Sequence, residues 1–169
     1  MSLNQMTLGD FFLAAMEVEK KASEIYQSLS EAFIQKQDIS LFWSGLREDE
    51  LMHLKMLKKS REALSEKDLE LLVDKSMISK IQEVDEFLKE NPTEHVQDLN
   101  DAFELAHELE FSEVNVIFKF LTIDLVPWIY QEKLIENMIE VHQQKLIHFE
   151  DAFGNKEWRK TIKARNYEG

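Results

Sequence analysis

The sequence of 169 residues contains no cysteine. This absence excludes disulfides, thiolate zinc sites, cysteine-ligated iron–sulfur clusters and rubredoxin-type iron centres from the chain. Glycine and proline are also rare, with four and two residues respectively. Because turn-rich β folds depend on both residue types, their scarcity favours long helices.

Positive charge is in deficit, since 20 Lys and Arg stand against 33 Asp and Glu, for a formal net charge of −13. An acidic chain of this kind is poorly suited to nucleic acid or to an anionic membrane surface. No apolar run approaches the roughly 20 residues that span a bilayer, and the N-terminus lacks the basic and apolar regions of a signal peptide. We therefore expect a cytoplasmic protein that binds neither nucleic acid nor membrane.

The residues that are present are typical of a folded domain, with 44% hydrophobic and 31% charged. A chain of this length is most economically one domain with a substantial core. We assign that domain to residues 4–167 and interpret residues 1–3 and 168–169 as expression-vector remnants. The tail at 155–167 is basic, and its sequence leaves open whether it forms a short helix or a partner contact.

Apolar residues recur at helical spacing in four long segments, at 8–35, 39–63, 98–122 and 125–153. Asp98 is suited to the N-cap of the third segment, Pro127 to the first turn of the fourth, and Gly154 to its end. Residues 61–97 are long enough for a crossover with one or two shorter helices. The sequence thus predicts an all-α fold of two helical hairpins joined by a long crossover.

Carboxylates interrupt the apolar faces of three of these segments. Glu19 lies on the apolar stripe of the first segment, and Glu50 and His53 lie on that of the second. Glu110 lies on the stripe of the third, with Glu113 at its edge. An ionised carboxylate buried alone costs several kcal/mol, so such groups are protonated, paired or bound to a metal.

Glutamates from three helices beside a histidine favour the metal-bound state, because their mixed oxygen and nitrogen donors suit divalent iron or manganese. The alternative is a polar cluster that shares protons and hydrogen bonds without a metal. We assign no site to three further histidines: His95, His107 and His148.

These residues form three motifs: Glu19…Tyr26, Glu50-x-x-His53 and Glu110-x-x-Glu113. Their order, spacing and helix faces resemble the rubrerythrin branch of the ferritin-like di-iron carboxylate proteins, over about residues 8–153. The resemblance implies a ferritin-like four-helix bundle that binds iron, as one or two ions, with manganese or zinc as alternatives. It also implies a homodimer that oxidises Fe(II) with peroxide or O₂, in detoxification or iron handling, and that takes electrons from an external donor.

The resemblance implies a role for each motif residue. Glu19 would bind the first metal, His53 would be a terminal ligand and Glu50 a bridge. Glu110 would bind the second metal or bridge, and Glu113 would be an alternative ligand that changes with redox state. Tyr26 would either donate a hydrogen bond to a ligand or only fill the core.

The fourth helix departs from the family pattern, which places a second Glu-x-x-His there. His142 is in register as a ligand or as a hydrogen-bonded core histidine, but the matching carboxylate position holds Ile139, which cannot bind a metal. Glu140 lies about 100° around the helix and Glu136 one turn earlier, so either would need a rotation or a bulge to reach the site. The departure favours a competing interpretation, in which the bundle holds one metal or none and serves a structural or interaction role.

Overall fold

The computed structural model describes residues 5–90, 92–112 and 114–153, where almost all regular structure is helical. The helices are α1 (Leu8–Ala32), α2 (Gln37–Glu62), α3 (Glu66–Leu69), α4 (Lys75–Lys89), α5 (Leu99–Glu110), α6 (Val114–Lys119) and α7 (Glu132–Phe153). A 3-10 turn (Pro92–His95) precedes α5, and a π-helical turn (Phe120–Asp124) follows α6. Within the described ranges, one isolated antiparallel bridge, Thr7 to Leu72, is the sole β pairing. The all-α prediction is confirmed.

Helices α1 and α2 form a long antiparallel hairpin. The Thr7 hydroxyl caps α1 by accepting a 3.1 Å hydrogen bond from the Asp10 backbone N–H. Near the loop, the Ser40 hydroxyl donates to the Ser30 carbonyl at 2.9 Å, and the Ser30 hydroxyl donates to the Ser40 carbonyl at the same distance. These reciprocal bonds fix how the two helices are placed along one another.

The crossover is anchored to the start of α1. The Leu8 N–H donates to the Leu71 carbonyl at 2.8 Å, so α3 lies directly against the first turn of α1. A Cβ at Gly9 would lie 3.3 Å from the Leu69 carbonyl oxygen, so glycine permits this close approach. Asp74 then caps α4, which packs along α1 and forms a 3.0 Å ion pair from Asp85 to Lys21.

The third predicted segment is divided into α5 and α6. Asp98 caps α5 as predicted, accepting from the Asn100 and Asp101 backbone N–H groups. The division has a local cause in Ser112, whose hydroxyl donates to the Leu109 carbonyl at 2.7 Å and accepts from the Val114 N–H at 3.3 Å. Such side-chain bonds compete with the helical backbone ladder, so a single helix over 98–122 was wrong.

The fourth helix begins at Glu132, seven residues later than predicted. Pro127 lies instead in a turn closed by a 2.9 Å bond from the Ile129 N–H to the Val126 carbonyl, where proline is favoured at the second position. Helix α7 ends at Phe153. Gly154 and the basic tail lie outside the described residues.

One buried apolar cluster is shared by α1, α2, α4, α5, α6 and α7. Helices α5 and α7 are further joined by His107 and Glu150, whose Nε2 and Oε2 atoms are 2.7 Å apart. Because α1, α2, α5 and α7 all face this cluster, polar residues on their inner faces converge. Along the described parts of the chain, no helix combines the length and apolar character needed to cross a membrane.

Candidate metal centre

Five polar residues on four helices are buried in this core. Glu19 comes from α1, Glu50 and His53 from α2, Glu110 from α5 and His142 from α7. Each is at most 4% exposed. Burying so many ionisable groups in an apolar core is costly unless they are paired, protonated or bound to an ion.

Glu50 lies at the centre of the group and faces both histidines. Its Oε2 atom is 3.0 Å from Nδ1 of His53, one helical turn along the same face of α2. Its Oε1 atom is 3.7 Å from Nε2 of His142, on α7. The two oxygens of one carboxylate therefore face histidines on two different helices.

Two further carboxylates complete the arrangement, one beside each histidine. Glu19 Oε2 lies 3.6 Å from His53 Nδ1, and Glu110 Oε1 lies 3.4 Å from His142 Nε2. The donor atoms thus form two sets of three, Glu19–His53–Glu50 and Glu110–His142–Glu50. The sets share Glu50.

The spacing of the donor atoms fits metal coordination. Ligand atoms about 2.1 Å from one ion lie about 3.0 Å apart in octahedral geometry and about 3.4 Å apart in tetrahedral geometry. In each set, the histidine nitrogen lies 3.0 to 3.7 Å from the two carboxylate oxygens. Glu50, His53 and His142 each offer a ligand atom, and the three atoms lie within 4.8 Å of one another. This buried group could hold a metal ion.

Buried polar atoms that lack hydrogen bonds also favour a bound metal ion. Glu19 Oε2 and His142 Nε2 are buried and make no hydrogen bond to any described residue. Buried polar atoms are nearly always hydrogen-bonded, so each exception requires an explanation. A cation in each set of donor atoms would satisfy these atoms, Glu19 Oε2 in the first set and His142 Nε2 in the second, so the residues present fit a metal.

Burial and neighbouring charges raise the pKa values of three residues of this group. Burial raises the pKa of Glu50 to about 7, and repulsion from Glu19 adds to this, while His53 opposes it. Burial likewise raises the pKa of Glu110 to about 7, against the attraction of His142. For His53, burial lowers the pKa, but the carboxylates of Glu19 and Glu50 outweigh it and raise the pKa well above its usual value. The group therefore holds protons near neutral pH, and a cation would displace them.

Tyr26 both fills the core and contacts a candidate ligand. Its hydroxyl donates a hydrogen bond to Oε1 of Glu110, and its ring stacks on Trp43 with a centroid separation of 6.1 Å. The Glu110 carbonyl accepts from the side chains of Asn115 at 2.7 Å and Gln143 at 3.2 Å. Three elements thus hold Glu110 at the end of α5, facing α7.

Helix α7 supplies His142 but no carboxylate from the positions considered above. Ile139 is partly buried against the core. Glu140 is exposed, and Glu136 is exposed and accepts a 2.7 Å hydrogen bond from Lys119. Neither glutamate replaces the missing ligand. Glu113 lies outside the described residues.

One nearby carboxylate, Asp49, was missed by sequence reasoning. Its Oδ2 atom lies 4.0 Å from His142 Nε2 and accepts a 2.6 Å hydrogen bond from Lys145. Asp49 is within a run of three acidic residues and about 100° from Glu50 around the helix, a position typical of a solvated surface. Its contacts are 93 and 96 residues away in sequence, and no local pattern reveals them.

Comparison of the chain with protein-family models, curated proteins and solved structures found no match. The family resemblance therefore depends on the motifs in the sequence. What the structure itself provides is an all-helical chain with a buried group of glutamates and histidines that could hold a metal ion of unspecified identity.

Proposed function

We propose that this chain is a ferritin-like, rubrerythrin-like non-haem metal protein. Its ligands are Glu19, Glu50, His53, Glu110 and His142, and its metal is iron. The observation that carries the proposal is the central position of Glu50, whose two oxygens face histidines on two different helices. A carboxylate in that position would offer one oxygen to each of two ions.

The proposed centre has one ion in each set of donor atoms. Glu19, His53 and Glu50 would hold the first ion, and Glu50, His142 and Glu110 would hold the second. Three carboxylates balance most of the charge of two divalent ions, which explains why acidic side chains are tolerated in an apolar core. Manganese or zinc suits the same donors, so the metal identity is part of the proposal.

Iron at this position would supply one-electron redox chemistry toward peroxide or O₂. The residues of the chain would bind, orient and shield it. Tyr26 fixes the orientation of Glu110 through its hydroxyl. The ring of Phe118 packs 4.5 Å from that of His53 and would shield this side of the centre from water. The proposed activity is the oxidation of Fe(II) by peroxide or O₂, with a separate electron donor and a homodimeric assembly.

A second candidate function is a bundle that has lost the chemistry and keeps a structural or interaction role, with one metal or none. Ile139 favours it, because a carboxylate is missing on α7. Two hydrogen bonds also satisfy part of the group without a metal, from Tyr26 to Glu110 and between His53 and Glu50.

Elemental analysis after anaerobic loading with Fe(II) distinguishes the candidates. We expect two irons per wild-type chain, and loss of both in Glu50→Gln, because Glu50 is shared. Glu140→Gln is the matched control, since it removes an exposed carboxylate from α7 and should retain both irons. One iron would support the reduced centre, and none would contradict metal binding. Peroxide consumption by the loaded protein then tests the proposed oxidation.

A further inference from the structure

A cleft of about 360 Å³ leads from the surface toward the candidate centre. Its walls include Asp49, Met52, His53, Met138, His142 and Lys145. Because the five candidate ligands are almost completely buried, an ion must pass such an opening to reach them. Both histidines, His53 from α2 and His142 from α7, line the inner wall of this cleft.

Two residues of the cleft wall form an ion pair next to the buried group. Asp49 and Lys145 are joined at 2.6 Å, and their side chains are 31% and 45% exposed. The atom that accepts from Lys145 is Asp49 Oδ2, the same atom that lies 4.0 Å from His142 Nε2. Lys145 and a metal on His142 would therefore compete for a single oxygen.

The geometry places Asp49 within reach of coordination. Two ligands of one ion are separated by about 3.0–3.4 Å, so a side-chain movement of about 1 Å would bring Asp49 Oδ2 into range of an ion on His142. The buried His142 Nε2 makes no hydrogen bond to a described residue, and His142 is one of the residues that line the cleft. Asp49 also has the carboxylate that α7 lacks at position 139, where the residue is Ile139.

Building on the proposed function, we propose that Asp49 is a further metal ligand, which takes the place of the carboxylate missing at position 139 and which Lys145 holds in reserve. In the metal-free protein, Asp49 is paired with Lys145. When a divalent cation is bound, Asp49 Oδ2 and His142 would hold it, and the Lys145 ammonium would move to solvent. Lys145 thus lowers the affinity of the centre.

The test is equilibrium and stopped-flow binding of Co²⁺, competed with a coloured chelator, to the full chain. Lys145→Gln removes the competing cation and should tighten binding about two- to fivefold, as expected for release of an exposed ion pair. Lys55→Gln is the matched control, because Lys55 lines the same cleft and is absent from the ion pair. We expect its affinity to change less than that of Lys145→Gln.

Asp49→Asn removes the proposed ligand and should weaken binding of one ion by about tenfold or more. The neighbouring exposed Glu48→Gln is the control for a general loss of negative charge. In the Asp49→Asn background, Lys145→Gln should no longer tighten binding, since its effect passes through Asp49. The visible spectrum of bound Co²⁺ should also change in Asp49→Asn, because a carboxylate leaves the coordination sphere.

Each result supports or overturns the inference. Equal affinities for Lys145→Gln and Lys55→Gln would overturn the competition, and an unchanged affinity and Co²⁺ spectrum in Asp49→Asn would overturn the ligand role, while the proposed centre would stand. Failure of the wild type to bind Co²⁺ or Fe²⁺ would overturn both proposals. If Asp49→Asn does not fold, as judged by circular dichroism, the comparison of the two lysine variants decides.

Discussion

Tyr26 donates a hydrogen bond to the carboxylate of Glu110, so a residue of α1 determines the orientation of a candidate ligand on α5. Both side chains are buried. Neither residue lies near the other in sequence, at a separation of 84 positions. This contact joins α1 to α5 at the candidate centre.

We expect Tyr26→Phe to destabilise the protein and to weaken metal binding. The phenyl ring retains the core volume, but Glu110 loses its buried donor, which costs about 1–3 kcal/mol of unfolding free energy. Loss of an orienting partner lowers metal affinity about 10- to 100-fold. Urea unfolding and Co²⁺ titration measure the two effects. The control is Tyr130→Phe, whose hydroxyl makes only a long 3.4 Å bond to the Met56 carbonyl; equal effects in the two variants would contradict the role of Tyr26.

The metal-free protein should lose stability as the pH rises through neutrality. The pKa values of Glu50 and Glu110 are raised from 4.5 to about 7, chiefly by burial. A raised folded-state pKa contributes stability that is fully present below the unfolded value and is lost as the pH passes the folded value. The raised pKa of His53 acts in the same direction, above its usual 6.5.

Urea unfolding with a chelator at pH 5.5, 7.0 and 8.5 measures this loss. Comparison with Glu50→Gln isolates the site, because the amide cannot ionise and should make the decline with pH smaller. An identical decline in the two proteins would show that Glu50 does not carry a raised pKa.

Metal should reverse this dependence on pH. A divalent cation replaces the protons held by the carboxylates and by His53, so its affinity rises as they become easier to remove. The stabilisation by saturating Co²⁺ should therefore grow from pH 5.5 to pH 7.5. The difference in melting temperature with and without Co²⁺ measures this stabilisation. If that difference did not change with pH, the metal would bind elsewhere in the protein.

Replacement of Ile139 tests the alignment of α7. Ile139→Glu places a carboxylate one turn before His142 and should raise the metal affinity, while the metal-free protein loses stability because a charge enters a partly buried position. Ile139→Gln is the matched control, with a similar shape and no charge. If Ile139→Glu changes neither the metal content nor the affinity, α7 does not present this position to the centre.

The sequence predicted the long helices because their apolar stripes recur over many turns. It did not predict the division at Ser112 or the turn at Pro127, where single side chains or a fixed φ angle replace the helical pattern. Position in a periodic pattern is a property of many residues, whereas a helix end depends on a few local bonds. The bounds of the first two helices were therefore predicted to within three residues, whereas the third segment was divided and the fourth helix began later than predicted.

The same contrast between periodic patterns and individual contacts applies to the candidate site. Glu19, Glu50, His53 and Glu110 could be singled out because each is a polar residue on an apolar stripe, and His142 because it is in register with the family motif. The structure buries all five side chains close to one another. Asp49 could not be singled out, because its contacts with His142 and Lys145 depend on how α2 packs against α7. Packing between distant helices has no local signal in one sequence.

The most direct test of the account is anomalous diffraction from crystals loaded anaerobically with Fe(II), at the iron absorption edge. We predict two anomalous peaks, one on each side of Glu50, each about 2.1 Å from a Glu50 oxygen and from the nitrogen of one histidine, His53 or His142. A single peak would support the reduced centre. Peaks confined to the acidic surface, or no peak in a protein that remains folded, would contradict a metal centre in this bundle.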